Sequence, residues 1–462
     1  MAWDEEVDVV VAGSGAAGLA AGIELADAAL DVIVFEKQPT IEDTSTALSE
    51  GAFSFAGTDI QQRMGIEDSD DLLHQDLMAA GGQKSDEKLV RAYVENQLDT
   101  FHWLNGFGVK WVTVEAGAGM SVPRAHVTDP VEMLNLMKSA AESKGVRLIF
   151  KTRVAELIQD VEGVVAGVKV EGVIGIRRIK VRKGVVLATG GFGRDVKRLA
   201  AIDPRFAEVV PVVGPGHSGD GHRMAEKLGA YLIDMEYVKP TFGISATSPS
   251  HVTFSVMFYN GAVIVNKEGR RFIDESASYK EIGQAALGQP DGIGYQIFDQ
   301  KIYEIGVGKA RGMRPEKAMF GLDETRKKLL AKGDTIPELA SKINVPYDAL
   351  QQTINEYNEQ AAAGKELRFG RSALAGKSGK ILRIEEPPFF AYASKGMLPG
   401  TYGGIVVDAS MRVQCRRGWI PGLFAAGEIV GGFHGVGYMT GTAAGKALIF
   451  GRIAGREAAK RN

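Results

Sequence analysis

Three glycines near the N-terminus are spaced as in a loop that binds a dinucleotide. The loop follows the apolar residues 7–12 and reads Gly13-Ser14-Gly15-Ala16-Ala17-Gly18. In such a loop the first glycine permits the turn, the second lets a pyrophosphate approach the backbone, and the third lets the next helix pack closely. Free N–H groups at the helix start hold phosphates, and an acid that ends the next strand, here Glu36, accepts hydrogen bonds from a ribose. The pattern predicts dinucleotide binding.

A second glycine-rich segment follows the apolar run 185–187. It reads Ala188-Thr189-Gly190-Gly191-Phe192. Glycines at the end of a strand indicate that the backbone passes close to something flat or charged. We therefore interpret this segment as a second part of a ligand site.

The elements that must position these segments change character along the chain. Residues 7–35 predict a strand, a helix and a second strand, and residues 148–190 predict a meander of short strands. From about 236 the pattern changes to a strand-like 261–265 and two later helices, the first with Pro337 in its opening turn. Short strands and a final helix return after 387. We interpret the middle region as an inserted cap; the predicted segments are 1–236, 237–386 and 387–462.

The composition excludes several classes of protein. Among the 462 residues, 54 are Lys or Arg and 57 are Asp or Glu, for a net charge of −3, so neither a nucleic acid nor an anionic membrane is expected as the main partner. Apolar residues at 45% and charged residues at 24% indicate a globular chain. The single Cys415 excludes an internal disulfide framework, a thiolate zinc cluster and a cysteine-ligated iron–sulfur centre. We predict no metal site, and any redox chemistry must use another cofactor.

The N-terminal residues contain neither the basic n-region nor the apolar h-region of a signal peptide. No run approaches the roughly 18 uninterrupted apolar residues that a membrane-spanning helix needs. We therefore expect a cytoplasmic protein without a membrane span.

Five segments, in order along the whole chain, carry a resemblance to a known family. They are the loop 13–18, the segment 188–192, Ser218-Gly219-Asp220-Gly221, Asn266-Lys267-Glu268-Gly269-Arg270-Arg271-Phe272 and Gly422-Leu423-Phe424-Ala425-Ala426-Gly427-Glu428. Together they resemble the FAD-dependent fumarate reductase/succinate dehydrogenase flavoprotein superfamily. The resemblance implies an α/β fold, with a Rossmann-like FAD-binding domain in two sequence segments and an inserted α+β capping domain. It also implies one bound FAD.

The resemblance also assigns cofactor-binding residues. It implies that Glu428 contacts the ribityl or ribose region and that residues 44–51 line the flavin. Relatives with a covalent flavin carry a histidine where this chain has Ser45, so non-covalent FAD is expected. The predicted FAD-binding residues are Gly13, Ser14, Gly15, Ala16, Ala17, Gly18, Glu36, Lys37, Ser45, Thr46, Ser49, Gly51, Val154, Ala188, Thr189, Gly190, Gly219, Asp220, Gly427, Glu428, Gly441, Thr442 and Ala443.

At the substrate-binding positions the chain departs from the dicarboxylate reductases of this superfamily. Those enzymes clamp two carboxylates with arginines and histidines. Tyr279 stands where they place a proton-donating arginine, and Tyr438 replaces a substrate-binding arginine. Gly400 stands at a histidine position, with Tyr402 nearby. Three losses of positive charge argue against fumarate and succinate as substrates.

The tyrosines at the first two positions are similar to those of 3-ketosteroid dehydrogenases. Tyr438 with Thr440 two places on looks most like the Δ4-(5α) branch. Desaturation next to a ketone needs a base for the α-proton, donors for the enolate oxygen and flavin N5 as hydride acceptor. A tyrosine serves as base or donor and suits an apolar substrate. We therefore predict an FAD-dependent dehydrogenase of 3-ketosteroids or other cyclic ketones; its candidate catalytic residues are Tyr279, Tyr438, Thr440, Gly441 and Tyr402.

Several alternatives remain open at the sequence level. The same residues would serve an enone reductase of this superfamily, acting on an unsaturated ketone or acid, and a third hypothesis is a flavin-holding electron-relay subunit. The position of Tyr279 relative to the Δ1-type ketosteroid dehydrogenases favours Tyr279 as the base, whereas the neighbouring Thr440 favours Tyr438. His434 is interpreted as a packing or hydrogen-bonding residue. Because there is one nucleotide fingerprint, electrons are expected to pass to or from a separate acceptor or donor.

Overall fold

The structure is a computed structural model that describes residues 2–308, 324–364, 368–374 and 379–461, except for the side chains of Glu208 and His251. Its internal contacts divide the chain into two compact units. The first unit comprises the residues up to 204, residues 213–238 and those from 400 onward. The second comprises residues 205–212 and the described part of 239–399.

The strands of the described residues are short except for β9 and β16. They are β1 (Glu5–Ala12), β2 (Val32–Phe35), β3 (Ala52–Ser54), β4 (Thr113–Glu115), β5 (Ala125–Val127), β6 (Arg147–Ile149), β7 (Thr152–Gln159), β8 (Val165–Gly172), β9 (Gly175–Leu187), β10 (Val210–Pro211), β11 (Leu232–Ile233), β12 (Thr241–Ser245), β13 (Val263–Val265), β14 (Ile293–Asp299), β15 (Leu330–Gly333), β16 (Phe389–Leu398), β17 (Gly404–Ile405), β18 (Arg412–Cys415) and β19 (Gly418–Ala425).

The longest described helices are α4 and α13, and both belong to the first unit. The helices are α1 (Ala16–Asp27), α2 (Asp59–Arg63), α3 (Asp70–Ala80), α4 (Glu87–Gly106), α5 (Pro130–Ser143), α6 (Val196–Ile202), α7 (Asp220–Lys227), α8 (Tyr279–Ala286), α9 (Gln300–Gly308), α10 (Glu324–Lys327), α11 (Ile336–Lys342), α12 (Tyr347–Ala362) and α13 (Thr442–Ala459).

A mostly parallel sheet forms the centre of the first unit, with strand order β18-β19-β9-β1-β2-β6. β1 pairs in parallel with both β2 and β9, where Val11 lies opposite Val34 and Val186. These valines are fully buried, because a parallel strand covered on both faces needs consecutive apolar residues. The predicted strand, helix and strand at 7–35 are confirmed as β1, α1 and β2. β7, β8 and β9 form the predicted antiparallel meander.

β16 lies at the centre of the sheet of the second unit. That sheet has the order β10-β16-β14-β13, and β12 and β15 also pair with β16. Because β16 spans Phe389–Leu398, the last segment of the first unit begins at Gly400 and not at the predicted 387. Residues 205–212 likewise join the second unit, since Val210 in β10 pairs with Met397 in β16. Hydrogen bonds between strands that are distant in sequence thus place both β16 and residues 205–212 in the second unit.

Helix α8 was not predicted from the sequence. Ser278 caps it by accepting a hydrogen bond from the Glu281 backbone N–H, and the Glu281 side chain bonds the Ser278 N–H in return. This capping box starts the helix within a polar stretch. Tyr279 therefore lies in the first turn of a helix.

Candidate functional site

The glycine loop after β1 has the steric properties that its sequence predicts. Gly13 has φ +105°, and a Cβ there would lie 2.3 Å from the Ala188 carbonyl oxygen. A Cβ at Gly18 would lie 1.8 Å from the Gly13 carbonyl oxygen. By contrast, a Cβ at Gly15 would approach only the Thr46 hydroxyl, at 3.6 Å. The first and third glycines are required by the fold, whereas Gly15 leaves open space at the N-terminus of α1, where phosphates bind.

Glu36 lies directly beside this loop. Its Oε2 accepts hydrogen bonds from the backbone N–H and the hydroxyl of Ser14, at 2.9 and 3.1 Å, and its Oε1 accepts from the Gln38 N–H. The carboxylate is buried and fixed next to the first turn of α1. The predicted acid and glycine loop therefore form one site.

The serine- and threonine-rich stretch packs over the same helix end. The Thr46 hydroxyl accepts a hydrogen bond from the Ala16 N–H at 3.3 Å, and Ser45 Oγ accepts from the Gly214 N–H at 3.0 Å. Ser49 donates to the Thr46 carbonyl oxygen. Gly51, with φ +68°, ends the stretch, and a Cβ there would collide with the Thr128 carbonyl oxygen. The predicted residues 45–51 thus form a structured loop beside the start of α1.

The Thr189 hydroxyl is an orphaned polar group in this part of the first unit. Its Oγ1 is buried and has no hydrogen-bond partner among the described residues. Buried hydroxyl groups are nearly always paired in native proteins. Together with the open space at Gly15, this orphan fits the binding of a dinucleotide cofactor across β1 and β9.

Lys37 and Asp220, both predicted to bind the cofactor, form an ion pair with each other. Lys37 Nζ lies 2.9 Å from Asp220 Oδ2, and it also donates to the Ser218 hydroxyl. Arg153 binds the same carboxylate oxygen at 2.9 Å. Burial would raise the pKa of Asp220, but Arg153 and Lys37 outweigh it and hold the pKa far below its ordinary value. Val154, on β7, is a buried neighbour of Arg153 in the chain.

His217 is a residue of this region that sequence reasoning missed. Its Nδ1 accepts a hydrogen bond from the Gly193 N–H, and its Nε2 lies 2.8 Å from Glu428 Oε2. Thr401 binds the other carboxylate oxygen of Glu428 through its N–H, at 2.6 Å. Burial would raise the pKa of Glu428, but His217 and Thr401 hold it below its ordinary value. The one sequence feature that could have indicated His217 is its place in a glycine-rich segment, directly before Ser218.

Three polar rings cluster in the C-terminal part of the first unit. Tyr402 and Tyr438 are nearly parallel, with ring centroids 6.1 Å apart, and His434 lies 5.2 and 5.6 Å from them. Tyr402 is 5% exposed, whereas Tyr438 is half-buried. The structure therefore brings together two predicted tyrosines and His434.

The Tyr438 hydroxyl lies at the start of α13. Its oxygen accepts a hydrogen bond from the Gly441 N–H at 3.2 Å. Gly441 has φ +82°, and a Cβ there would lie 2.9 Å from the Ser54 N, so glycine is required. The N-terminus of a helix carries a partial positive charge. Both features stabilise negative charge on the phenol oxygen. Thr442 and Ala443, in the first turn of α13, follow directly.

Thr440, predicted as a candidate catalytic residue, is hydrogen-bonded to a distant segment of the chain. Its Oγ1 accepts a hydrogen bond from the Ala118 N–H at 3.0 Å, and its own N–H donates to the Ala118 carbonyl oxygen. The hydroxyl is thus used to bind another chain segment. Tyr279 belongs to the second unit, where it packs in a cluster with Phe242, Phe258 and Ile282.

Comparison with known proteins identifies the family. Residues 8–443 match the model of the family described as the FAD binding domain. The chain belongs to this family. Fumarate reductase (cytochrome) of Shewanella frigidimarina is 32% identical to this FAD-binding chain over 465 residues, which cover 99% of the chain and 77% of that protein. Urocanate reductase of Eggerthella lenta is 33% identical, with 98% and 75% covered.

Two solved structures resemble this FAD-binding chain over nearly its whole length. The open conformation of a flavocytochrome c3 fumarate reductase has a TM-score of 0.86 and 31% identity, covering 99% of this chain and 79% of that one. The 3-ketosteroid-Δ4-(5α)-dehydrogenase of Rhodococcus jostii RHA1, in complex with 4-androstene-3,17-dione, has a TM-score of 0.79 and 29% identity, covering 100% and 98%.

These findings confirm the fumarate reductase superfamily, the α/β fold with FAD as cofactor, and an FAD-dependent oxidoreductase acting on CH–CH groups. None of the described helices is long and apolar enough to cross a membrane. Across the described residues no three His, Cys, Asp or Glu side chains form a group that would hold a metal ion.

Proposed function

We propose that the protein is an FAD-dependent dehydrogenase that introduces a C=C bond α,β to the carbonyl of a 3-ketosteroid or other cyclic ketone. The observation that carries this proposal is the position of the Tyr438 hydroxyl, which accepts the Gly441 N–H next to the N-terminus of α13. A phenol in that position can take up the α-proton of a ketone or donate a hydrogen bond to its enolate oxygen.

The charge of the site supports a neutral substrate. Tyr438 lies against Tyr402 and His434. The resemblance implies that dicarboxylate reductases have an arginine at its position. Tyr279 and Gly400 are the other two positions without the expected positive charge. With neutral side chains at these positions, a dicarboxylate would lose the cationic partners that the resemblance assigns to them, and an unpaired buried charge is costly. An apolar ketone carries no such cost.

The protein residues supply proton handling and orientation. Bound FAD supplies the hydride acceptor. The Gly441 N–H and the partial positive charge at the start of α13 lie beside the phenol oxygen, where they favour negative charge that develops during proton transfer. Tyr279, at the start of α8 in the second unit, is the second candidate for base or enolate donor.

A second candidate function is reduction of an enone by a reduced carrier. The names of the relatives, fumarate reductase and urocanate reductase, favour it. The same residues serve both directions, because the proton donor of the reduction is the conjugate acid of the base of the dehydrogenation.

Anaerobic mixing of the holoenzyme with substrates tests both functions by flavin absorbance. Oxidised enzyme is mixed with saturated ketones from cyclohexanone to androstanedione, and reduced enzyme with the matching enones. Bleaching of the oxidised flavin by a ketone supports the dehydrogenase. Reoxidation of the reduced flavin by an enone, without bleaching by any ketone, supports the reductase. If neither occurs, both proposals are wrong and an electron-relay role is favoured.

A further inference from the structure

We propose that Thr440 is a positioning residue, which binds the segment 117–121 to the turn 438–441 and so keeps the Tyr438 oxygen on the Gly441 N–H. This inference rests on the proposed function only in taking Tyr438 as a proton-handling residue. The segment 117–121 is Gly117-Ala118-Gly119-Met120-Ser121.

Two reciprocal hydrogen bonds join Thr440 and Ala118. The Ala118 N–H donates to Thr440 Oγ1 at 3.0 Å, and the Thr440 N–H donates to the Ala118 carbonyl oxygen, also at 3.0 Å. The first bond needs the hydroxyl, whereas the second is made by backbone alone. Removing the hydroxyl oxygen therefore leaves the Ala118 N–H without its acceptor while the backbone bond remains.

The two glycines of the segment permit this close approach. A Cβ at Gly117 would lie 2.5 Å from the Thr440 Cβ. A Cβ at Gly119, which has φ +78°, would lie 3.2 Å from the Met439 Cα. The segment thus contacts two consecutive residues of the turn that carries Tyr438, and side chains at either glycine would separate them.

The far end of the segment is anchored to helix α3. The N–H and the hydroxyl of Ser121 both donate to Asp76 Oδ2 at 2.7 Å, and Arg124 pairs with the same carboxylate. Burial would raise the pKa of Asp76, but Ser121 and Arg124 hold it below its ordinary value. Asp76 is therefore an ionised acceptor, which makes the Ser121 bonds strong.

Helix α3 also supports the loop that leads to Tyr438. The Val436 N–H donates to the Gly81 carbonyl oxygen at 3.1 Å, and a Cβ at Gly437 would lie 2.0 Å from the Ala80 carbonyl oxygen. The loop is thus bound to α3 directly before Tyr438, and through the segment 117–121 directly after it. The hydrogen bonds between Thr440 and Ala118 make the second of these two connections.

The predicted consequence concerns the ionisation of Tyr438. A catalytic group displaced by about 1 Å can lose on the order of 100-fold in rate. The charged and titratable groups around the turn include His434, Tyr402, Tyr93 and Arg124, the last paired with Asp68 and Asp76. Arg124 Nη1 lies 3.9 Å from the Met439 sulfur, and Tyr93 interacts electrostatically with Tyr438. A substitution of Thr440 changes none of these groups. A shift in the Tyr438 titration would therefore indicate that the Tyr438 oxygen has moved away from the Gly441 N–H.

The experiment titrates tyrosine ionisation by ultraviolet difference absorbance in the holoenzyme without substrate. Subtraction of the Y438F titration isolates Tyr438. We expect T440V to move the Tyr438 ionisation to higher pH and to slow flavin reduction by ketone about 10- to 100-fold, with its pH profile moved in the same direction. T440S restores the wild-type ionisation. An unchanged titration in T440V overturns the proposal, whatever its rate.

Ser121, which is exposed and donates its N–H and hydroxyl hydrogen bonds to Asp76, provides an independent test. We expect S121A to shift the titration in the same direction as T440V by a smaller amount, and the two substitutions to be non-additive when combined. S143A, which removes an exposed serine bond on α5, is the matched control. If the titration shifts of S121A and T440V simply add in the double variant, the two residues do not act through the same segment, which would contradict the proposal. If Y438F and Y279F both reduce their flavin normally, the proposed function fails, while the titrations still decide the role of Thr440.

Discussion

At the scale of single residues, the proposed chemistry depends on the hydroxyl groups of Tyr438 and Tyr279. In Y438F the ring and its contact with Tyr402 remain, and only the oxygen that accepts the Gly441 N–H is lost. Removing a general base or an enolate donor costs about 100- to 10,000-fold in rate. We expect Y438F to stay yellow and folded, but to reduce its flavin with ketone at least about 100-fold more slowly. Y279F is expected to behave likewise.

Rapid-mixing absorbance measures that rate, and an α-deuterated ketone assigns the roles. The isotope effect should remain in the variant that lacks the enolate donor and change in the one that lacks the base. Near-normal rates in both variants would show that these tyrosines only pack.

Ser45 carries the prediction of how the cofactor is held. It accepts a hydrogen bond from the Gly214 N–H, and the resemblance implies a histidine at its position in relatives with a covalent flavin. We expect acid precipitation to release intact FAD into the supernatant, measured by its absorbance and chromatography. Flavin that stays with the precipitated polypeptide would contradict non-covalent binding.

His217 orients the carboxylate of Glu428, and its loss is expected to weaken FAD binding. A hydrogen bond to a charged group contributes about 1.5–3 kcal/mol, so H217A should raise the Kd for FAD about 10- to 100-fold. Fluorescence titration of the apoprotein measures this value. H74A, which removes a partly exposed histidine paired with Glu87, is the control. Equal affinities in H217A and the wild type would show that His217 only packs.

At the scale of elements, α13 joins the ends of the chain by packing on α1. A Cβ at Gly451 would lie 2.4 Å from the Ala17 carbonyl oxygen, and a Cβ at Gly455 would lie 2.6 Å from that of Ala21. This close packing places the first turn of α13, beside Tyr438, in the same unit as the first turn of α1.

The same helix buries Lys446, which donates to the Val430 carbonyl oxygen at 3.0 Å. Burial lowers the pKa of Lys446 to about 8, against the opposing effects of Glu428 and Asp234. Between pH 8 and 10.5 the unfolded chain therefore binds more protons at this site than the folded chain. The free energy of unfolding of the wild type should rise with pH relative to that of K446M in this window, by at most about 3 kcal/mol.

Denaturant unfolding of both holoenzymes below pH 8 and up to about pH 10 measures the difference. Below pH 8 the difference should be constant, because Lys446 is then protonated in both states. A difference that stays constant throughout would show that Lys446 keeps its ordinary pKa.

At the scale of the whole molecule, the resemblance to dicarboxylate reductases predicts that dianions bind poorly. It implies that Tyr279, Tyr438 and Gly400 stand at three positions where those enzymes carry arginine or histidine, in a chain with a net charge of −3. We expect fumarate and succinate to be neither substrates nor tight ligands. Flavin absorbance after mixing measures both, with an active ketone as the positive control. Fumarate turnover at an ordinary rate of roughly 1–1000 per second would overturn the assignment of these positions.

The features that depend on local stereochemistry were predictable from the sequence. Gly13 and Gly18 were predictable because a tight turn and a close helix leave no room for a Cβ, and Glu36 because an acid ends the second strand. The partners of His217 and Thr440 were visible only in the folded chain, since Glu428 and Ala118 lie 211 and 322 residues away along the sequence. The assignment of β16 to the second unit was likewise not predictable from the sequence. It depends on hydrogen bonds to β12 and β14, which are distant along the chain, and local sequence patterns do not indicate such pairing.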